Sequence, residues 1–353
     1  CPSVGEPRDP GSEREKPSVL PRTVLPRTPA TLLSLTCALA LAGCAGAPSE
    51  GEDGSSSDAS ARSVTYTSCG QERTLDEAPT AAVTLNQGAT EVMLALGLED
   101  RMAGTAYIDD GVSSRWQEAY DSVPVLAEEY PSLEQLLSVE PDLAYASYGS
   151  AFADDGVASE DELEQDGIGT YLSPFGCGDD AERPETTFEN VWSEIETVGT
   201  IFGVEDTATE LVDGQREQLD EVREQASGEG TDILWYDSGD DTPFVGAGEG
   251  GPQLLIDAVG GTNIFADLEG GWADGSWEDV VDAEPDVIVV PDAAWSSAEE
   301  KVEHLESDPV LSELDAVQQD RIVEITYSQA TPGATMVEGA QSLSDGLAEL
   351  DAS

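Results

Sequence analysis

One unit is written twice in this chain, and it restricts the fold more than any other feature. Ser132-Leu133-Glu134 leads to Glu140-Pro141-Asp142-Leu143-Ala144-Tyr145-Ala146, and Ser276-Trp277-Glu278 leads to Glu284-Pro285-Asp286-Val287-Ile288-Val289-Val290. Ser, Glu, Glu, Pro and Asp recur in matching places. Each copy reads as a capped helix, a stop at proline and a buried parallel strand. Such a duplication points to two similar α/β lobes in preference to two ordinary units of one larger sheet. Between the copies, Thr186 to about Gln225 carries apolar residues at helical spacing, from Phe188 through Ile201 and from Ala208 through Val222. Thr186/Glu189 and Thr207/Glu210 have capping-box spacing, and Gly199 and Gly203 to Asp206 suit a kink or short break. The expected division is therefore a leader at 1–44, a tether at 45–63, an N-terminal lobe at 64–185, a linking helix at 186–226 and a C-terminal lobe at 227–353.

The chain has 74 acidic and 14 basic residues, a formal net charge of -60. That field repels nucleic acid and anionic lipid, so neither is expected as a partner. Self-repulsion on this scale is screened at high ionic strength, which points to a salt-tolerant source.

Arg22 and Arg27, the apolar run Leu32 to Leu41 and Leu41-Ala42-Gly43-Cys44 form an export signal ending in a lipobox. Cys44 is the expected lipidation site, and the Gly/Ser/Asp-rich stretch behind it a flexible tether to the outer face of the cell membrane. Cys1 and Cys37 fall in the leader. That leaves Cys69 and Cys177, an even pair in an oxidising compartment, for which a disulfide is the expectation. The Cys/Cys metal alternative lacks further ligands nearby, and His304 is the sole histidine. No metal and no cofactor are expected.

In open parallel sheets, ligands sit beyond the carboxyl ends of the strands. Asn86, Gln87, Tyr107, Trp116, Tyr130, Tyr148, Tyr236, Phe244, Trp272, Trp295 and Tyr327 all fall there on this reading, in loops rich in glycine and polar residues. Gly246 lies in the same kind of loop, and Arg115 and Arg183 are the cations near the rim. Two such rims face to face would enclose an aromatic cleft; the competing reading is that the aromatics plug the lobe interface.

Catalytic signatures are missing: there is no Gly-x-Ser-x-Gly elbow, phosphate loop or His-Glu-x-x-His helix. A carboxylate-pair hydrolase is the enzymatic alternative, but with so many carboxylates no pair stands out. An adhesion or signalling lipoprotein is a further alternative. Glu134 and Glu278 occupy equivalent first turns, where they complement a helix dipole or form a two-point docking code for arginines; position alone leaves both readings open.

The lipobox, Val83-Thr84-Leu85-Asn86 with Thr90-Glu91 and Leu94-Ala95-Leu96-Gly97, the two Glu…Pro-Asp units, Gly261-Thr262-Asn263-Ile264-Phe265 and Ala316-Val317…Arg321-Ile322-Val323 together resemble the iron-siderophore/cobalamin class of ABC-transporter substrate-binding lipoproteins. The resemblance covers Val64 to Leu350. It implies two Rossmann-like lobes joined by one long helix, the class III periplasmic-binding-protein fold, with small hinge motion. It also implies docking of Glu134 and Glu278 on permease arginines; an ABC permease and its ATPase are the expected partners, and a monomer without enzymatic activity is expected. Leu234 to Gly239, Asp241 to Gly248 and Ser173-Pro174…Cys177 look closest to an actinobacterial subgroup associated with a deazaflavin-coenzyme precursor. That ligand is anionic, and few cations are available for it here.

Overall fold

A computed structural model describes residues 63–178 and 182–352. The leader, Cys44 and the tether up to residue 62 lie outside the described residues. The described elements all fall in one compact unit, Asp58–Ser353.

The chain enters through a hairpin, β1 (Val64–Ser68) and β2 (Gln71–Leu75), paired antiparallel across the turn at Cys69 and Gly70. The N-terminal lobe is a parallel sheet of β3 (Ala82–Leu85), β4 (Met102–Ala106), β5 (Val125–Ala127), β6 (Leu143–Ala146) and β7 (Gly169–Leu172), in the order β5-β4-β3-β6-β7. β3 and β6 are buried along their whole length, as strands covered on both faces must be. The hairpin closes the β7 edge, where Tyr66 Oη donates to Thr170 O at 2.7 Å and Cys69 is disulfide-bonded to Cys177.

The C-terminal lobe is built on β8 (Asp232–Ser238), with the short strands β9 (Phe244–Gly246), β10 (Thr262–Asn263) and β11 (Trp272–Asp274), then β12 (Val287–Asp292) and β13 (Ile322–Thr326). The main path runs β11-β9-β8-β12-β13; β10, β8, β12 and β13 are parallel, whereas β9 and β11 add an antiparallel flap.

The repeated motif has a structural job that is the same in both lobes. Glu140 and Glu284 sit at φ 51 and 47, left-handed ends to their helices just before the prolines. The following aspartates then pin the lobe's first strand: Asp142 accepts from the Thr80 and Ala81 amides at 2.7 and 3.0 Å, and Asp286 from the Asp232 amide at 2.9 Å. Ahead of them Ser132 and Ser276 cap their helices, accepting from the amides of Gln135 and Asp279.

The linking stretch differs in detail from its expected form. It is a helical hairpin, Phe188–Phe202 and Glu205–Gln225, broken where Gly203 turns to φ 69. The first cap is Thr187, which accepts from the Asn190 amide at 3.1 Å, one residue beyond the Thr186 box; the second helix starts at Glu205, so Thr207 lies inside it. The two helices lie antiparallel: Arg223 stacks over Phe188, Arg216 over Trp192, and Trp192 Nε1 donates to Gln215 Oε1 at 2.9 Å. The long helix of the fold is thus Glu205–Gln225, packed on the C-terminal lobe's helices Gly251–Val259 and Met336–Ala352, while Phe188–Phe202 packs on β1 and the helix Gln87–Ala95. One apolar cluster, including Ile195, Val212, Leu255 and Leu343, runs through linker and both lobes. No helix among the described residues is long and apolar enough to cross a membrane.

Candidate functional site

Strand order in the N-terminal lobe reverses at β3, with β4 on one side and β6 on the other, so a crevice opens beyond the ends of β3 and β6. Asn86 occupies that point at φ 80, an uncommon conformation for a residue with a Cβ. It begins the helix Gln87–Ala95 without capping it. Its side chain is used across the crevice instead: Nδ2 donates to Tyr130 Oη at 3.0 Å, and Oδ1 accepts the Tyr148 amide at 3.3 Å. Next to it, Gln87 Oε1 accepts from the Asp109 and Asp110 amides, both at 3.0 Å, and Nε2 donates to Gly111 O at 3.1 Å. Gln87 therefore shapes the loop after β4 and does not itself line the crevice.

The crevice is a cavity of about 380 Å³ lined by Asn86, Tyr107, Asp109, Tyr130, Tyr148 and Ser150 from the N-terminal lobe and by Trp295 and Tyr327 from the C-terminal lobe. Tyr107, held at φ 61, packs on Tyr130 with ring centroids 4.7 Å apart. Trp295 meets Tyr327 edge to face at 4.7 Å, beyond the ends of β12 and β13. Trp295 is 55 % exposed, so the mouth is open to solvent. Six of the residues the sequence placed at the rims meet here: Asn86, Tyr107, Tyr130, Tyr148, Trp295 and Tyr327.

The others lie elsewhere for identifiable reasons. β8 runs on to Ser238, so Tyr236 lies inside the strand, buried against Trp277 and His304. Phe244, Gly246 and Trp272 belong to the β9–β11 flap, although Trp272 reaches within 6.5 Å of the Tyr327 ring. A Cβ at Gly246 would run into Pro252, which accounts for the glycine there. Trp116 packs onto the shared core. Arg115 pairs with Glu338 at 3.2 Å, and Arg183 donates to Cys177 O at 2.7 and 3.0 Å.

Asp109 and Ser150 were not picked out from the sequence. Ser150 Oγ lies 2.8 Å from Tyr130 Oη. Burial, then the adjacent Asp110, pushes the Asp109 carboxyl up to about 6. Burial, then Asp237 and Asp109, pushes the Tyr327 phenol up to about 12; Tyr148 is raised by burial, then by Tyr327 and Asp109. The signal for Asp109 was its place after β4, at the carboxyl end of a strand.

Around the cavity the lobes share a polar seam. Ser328 N–H donates to Asp110 Oδ2 at 3.3 Å, Thr335 Oγ1 to Glu91 Oε2 at 3.1 Å and Ser113 Oγ to Glu338 at 3.2 Å. A larger groove of about 890 Å³, lined in part by Thr231, Asp286 and Arg321, lies at the opposite, amino ends of β8, β12 and β13. The aromatic cavity is the better candidate because side chains from both lobes converge on it at the carboxyl ends.

Glu134 and Glu278 are both exposed on the first turns of helices Leu133–Leu137 and Trp277–Ala283, one per lobe.

Two α/β lobes, a helical linker and an aromatic cleft between strand ends make this a two-lobed binding protein of the class III periplasmic-binding-protein fold. Residues 83–328 match the periplasmic binding protein family, and the chain belongs to it. It is 26% identical over 323 residues to the uncharacterized ABC transporter substrate-binding lipoprotein YvrC of Bacillus subtilis, an alignment covering 89% of this chain and 94% of YvrC. The crystal structure of a periplasmic binding protein from Veillonella parvula shares 28% identity at a TM-score of 0.69, covering 81% of this chain and 97% of that one. An ABC-type Fe3+-hydroxamate transport system structure from Saccharomonospora viridis shares 23% identity at a TM-score of 0.66, covering 80% and 98%.

Proposed function

We propose that this chain is the extracytoplasmic, lipid-anchored binding component of an ABC importer. It captures a bulky metal-chelate, corrinoid or deazaflavin-type ligand and delivers it to the permease. The observation that carries this reading is the cavity itself, in which aromatic faces from two lobes meet beyond the ends of parallel strands. Stacking on Tyr107, Tyr130, Tyr148, Trp295 and Tyr327 supplies the apolar contact, and Asn86, Asp109 and Ser150 fix orientation. The names of its relatives, a substrate-binding lipoprotein and an Fe3+-hydroxamate system, support the same class. The shared core and polar seam favour small hinge motion over wide opening. Glu134 and Glu278 serve as one docking carboxylate per lobe, Cys44 carries the lipid, and the protein acts as a monomer without turnover.

Tryptophan fluorescence of the full chain in high salt tests this, with ferric siderophores, cobalamin and a deazaflavin precursor titrated in turn. Saturable quenching by one of them, lost in Trp295→Phe, is the expected result. A folded protein that responds to none, in cells whose uptake of all three is independent of it, would overturn the reading.

A further inference from the structure

The importer reading leaves the charge of the ligand open, and the lining of the cavity speaks to it. Five aromatic rings and one charged group, Asp109, surround the space. Asp109 enters no ion pair among the described residues. No cation among the described residues lines the cavity: Arg115 is engaged on Glu338, Arg183 on Cys177 O, and Lys301 on the carbonyls of Pro291 and Ser296 with Asp237 beside it. Beyond burial, Asp237 from one side and Asp109 and Asp110 from the other all raise the Tyr327 hydroxyl, and of these Asp237 has a cation, Lys301, beside it. Asp237 is itself buried, and burial raises its carboxyl against the opposing pull of Lys301 and of the Ser238 and Trp272 side chains. Aromatic faces attract cations through their quadrupoles, most strongly where water is excluded, and a carboxylate beside them adds charge attraction. An anion placed here would meet ring faces and carboxylates and find no donor with positive charge.

We infer that the cleft selects a ligand presenting an organic cation, a protonated or quaternary ammonium group, seated among Tyr107, Tyr130, Tyr148, Trp295 and Tyr327 with Asp109 as its counter-ion. This deepens the importer reading and rests on it for the place of the site. A metal chelate would qualify by carrying an ammonium arm, and a phosphorylated precursor would not.

The test pairs choline with 3,3-dimethylbutan-1-ol, which has the same shape without the charge. Both are titrated into the full chain in 1 M NaCl, where the diffuse field of the acidic surface is screened to a Debye length of about 3 Å. Calorimetry and tryptophan fluorescence read binding. Choline is expected to saturate and to bind at least ~10-fold tighter than its neutral counterpart. Asp109→Asn should cut choline affinity roughly tenfold and change that of the alcohol far less. The Asp109 side chain makes no hydrogen bond among the described residues, so this variant should keep the surrounding structure; Trp295→Ala, at an exposed position, provides a second variant that should also weaken choline. Equal affinities for the two probes, no saturable choline binding, or full affinity in Asp109→Asn would each overturn the cation assignment. A siderophore or corrinoid that still quenches tryptophan fluorescence would in that event leave the importer reading intact.

Discussion

Replacing Glu91 with glutamine should stabilise the protein above pH 7 and leave it unchanged near pH 4.5. Glu91 lies in the seam between the lobes and is 1% exposed. Its Oε1 accepts the Ser113 amide at 3.1 Å, and its Oε2 lies 3.1 Å from Thr335 Oγ1. Thr335 has one hydroxyl hydrogen and a second acceptor in reach, Ser328 O, also at 3.1 Å. A protonated Glu91 resolves the conflict by donating to Thr335, which then donates to Ser328. Burial pushes its carboxyl from 4.5 up to about 7, against the pull of the Ser113 amide, Gln87 and Thr335. The folded state therefore holds this proton more tightly than the unfolded state. The stability Glu91 contributes is complete below pH 4.5, declines as pH rises toward 7 and stays lost above it. That interval corresponds to roughly 3 kcal/mol. Glutamine copies the protonated form, with its amide donating to Thr335 and its carbonyl accepting from Ser113. Urea unfolding of wild type and Glu91→Gln, compared pH by pH at fixed high salt, cancels the repulsion common to both chains. The difference should grow from near zero at pH 4.5 to about 3 kcal/mol at pH 8 in favour of glutamine. A difference that is the same at both pH values, or glutamine destabilising at pH 8, would refute the reasoning.

Glu194, buried and accepting from Tyr145 Oη at 2.8 Å, is raised to about 7 by burial, so Glu194→Gln should show the same trend over the same pH window in urea melts. Glu134→Ala with Glu278→Ala should abolish uptake in cells while ligand affinity in vitro stays within about twofold, since both residues lie on the surface; unchanged uptake would remove their docking role. Cys69→Ser with Cys177→Ser opens a link spanning 108 residues of sequence and should cost about 2–4 kcal/mol, measured by chemical denaturation without reductant. A Cβ at Gly251 would overlap the Ala330 carbonyl, so Gly251→Ala should lose ~2 kcal/mol or more and disturb the turn that carries Tyr327, visible as a lowered melting temperature and weakened ligand quenching.

Local patterns were legible because their causes are local. Buried parallel strands read as apolar runs, and the Ser…Glu-Pro-Asp units marked a helix end and a strand start in each lobe, with the aspartates holding neighbouring amides. The repeat could not show that the linker folds back on itself, because the Gly203 turn and the Trp192–Gln215 pairing depend on how two apolar stripes share one core. The candidate site was half legible. Loop position placed Tyr107, Tyr130, Tyr148, Trp295 and Tyr327, but it could not tell an aromatic beyond a strand from one still within it. Tyr236 was misplaced by the last two residues of β8. Asp109 escaped notice because, among 74 acidic residues, its place after β4 does not stand out until the neighbouring rings are seen around it.

The entry hairpin also has a mechanical side. Any tension on the chain arriving at Ser63 first reaches β1, which is held by Tyr66 on Thr170, by Ser68 hydrogen-bonded with Leu172 and, just past its end, by the covalent link from Cys69 to Cys177. Force passes through that bond to Cys177, which follows β7 at the edge of the N-terminal sheet. A pull from the amino end can strip β1 only by breaking hydrogen bonds, and it stops at Cys69, where the covalent link holds the rest of the hairpin to the sheet.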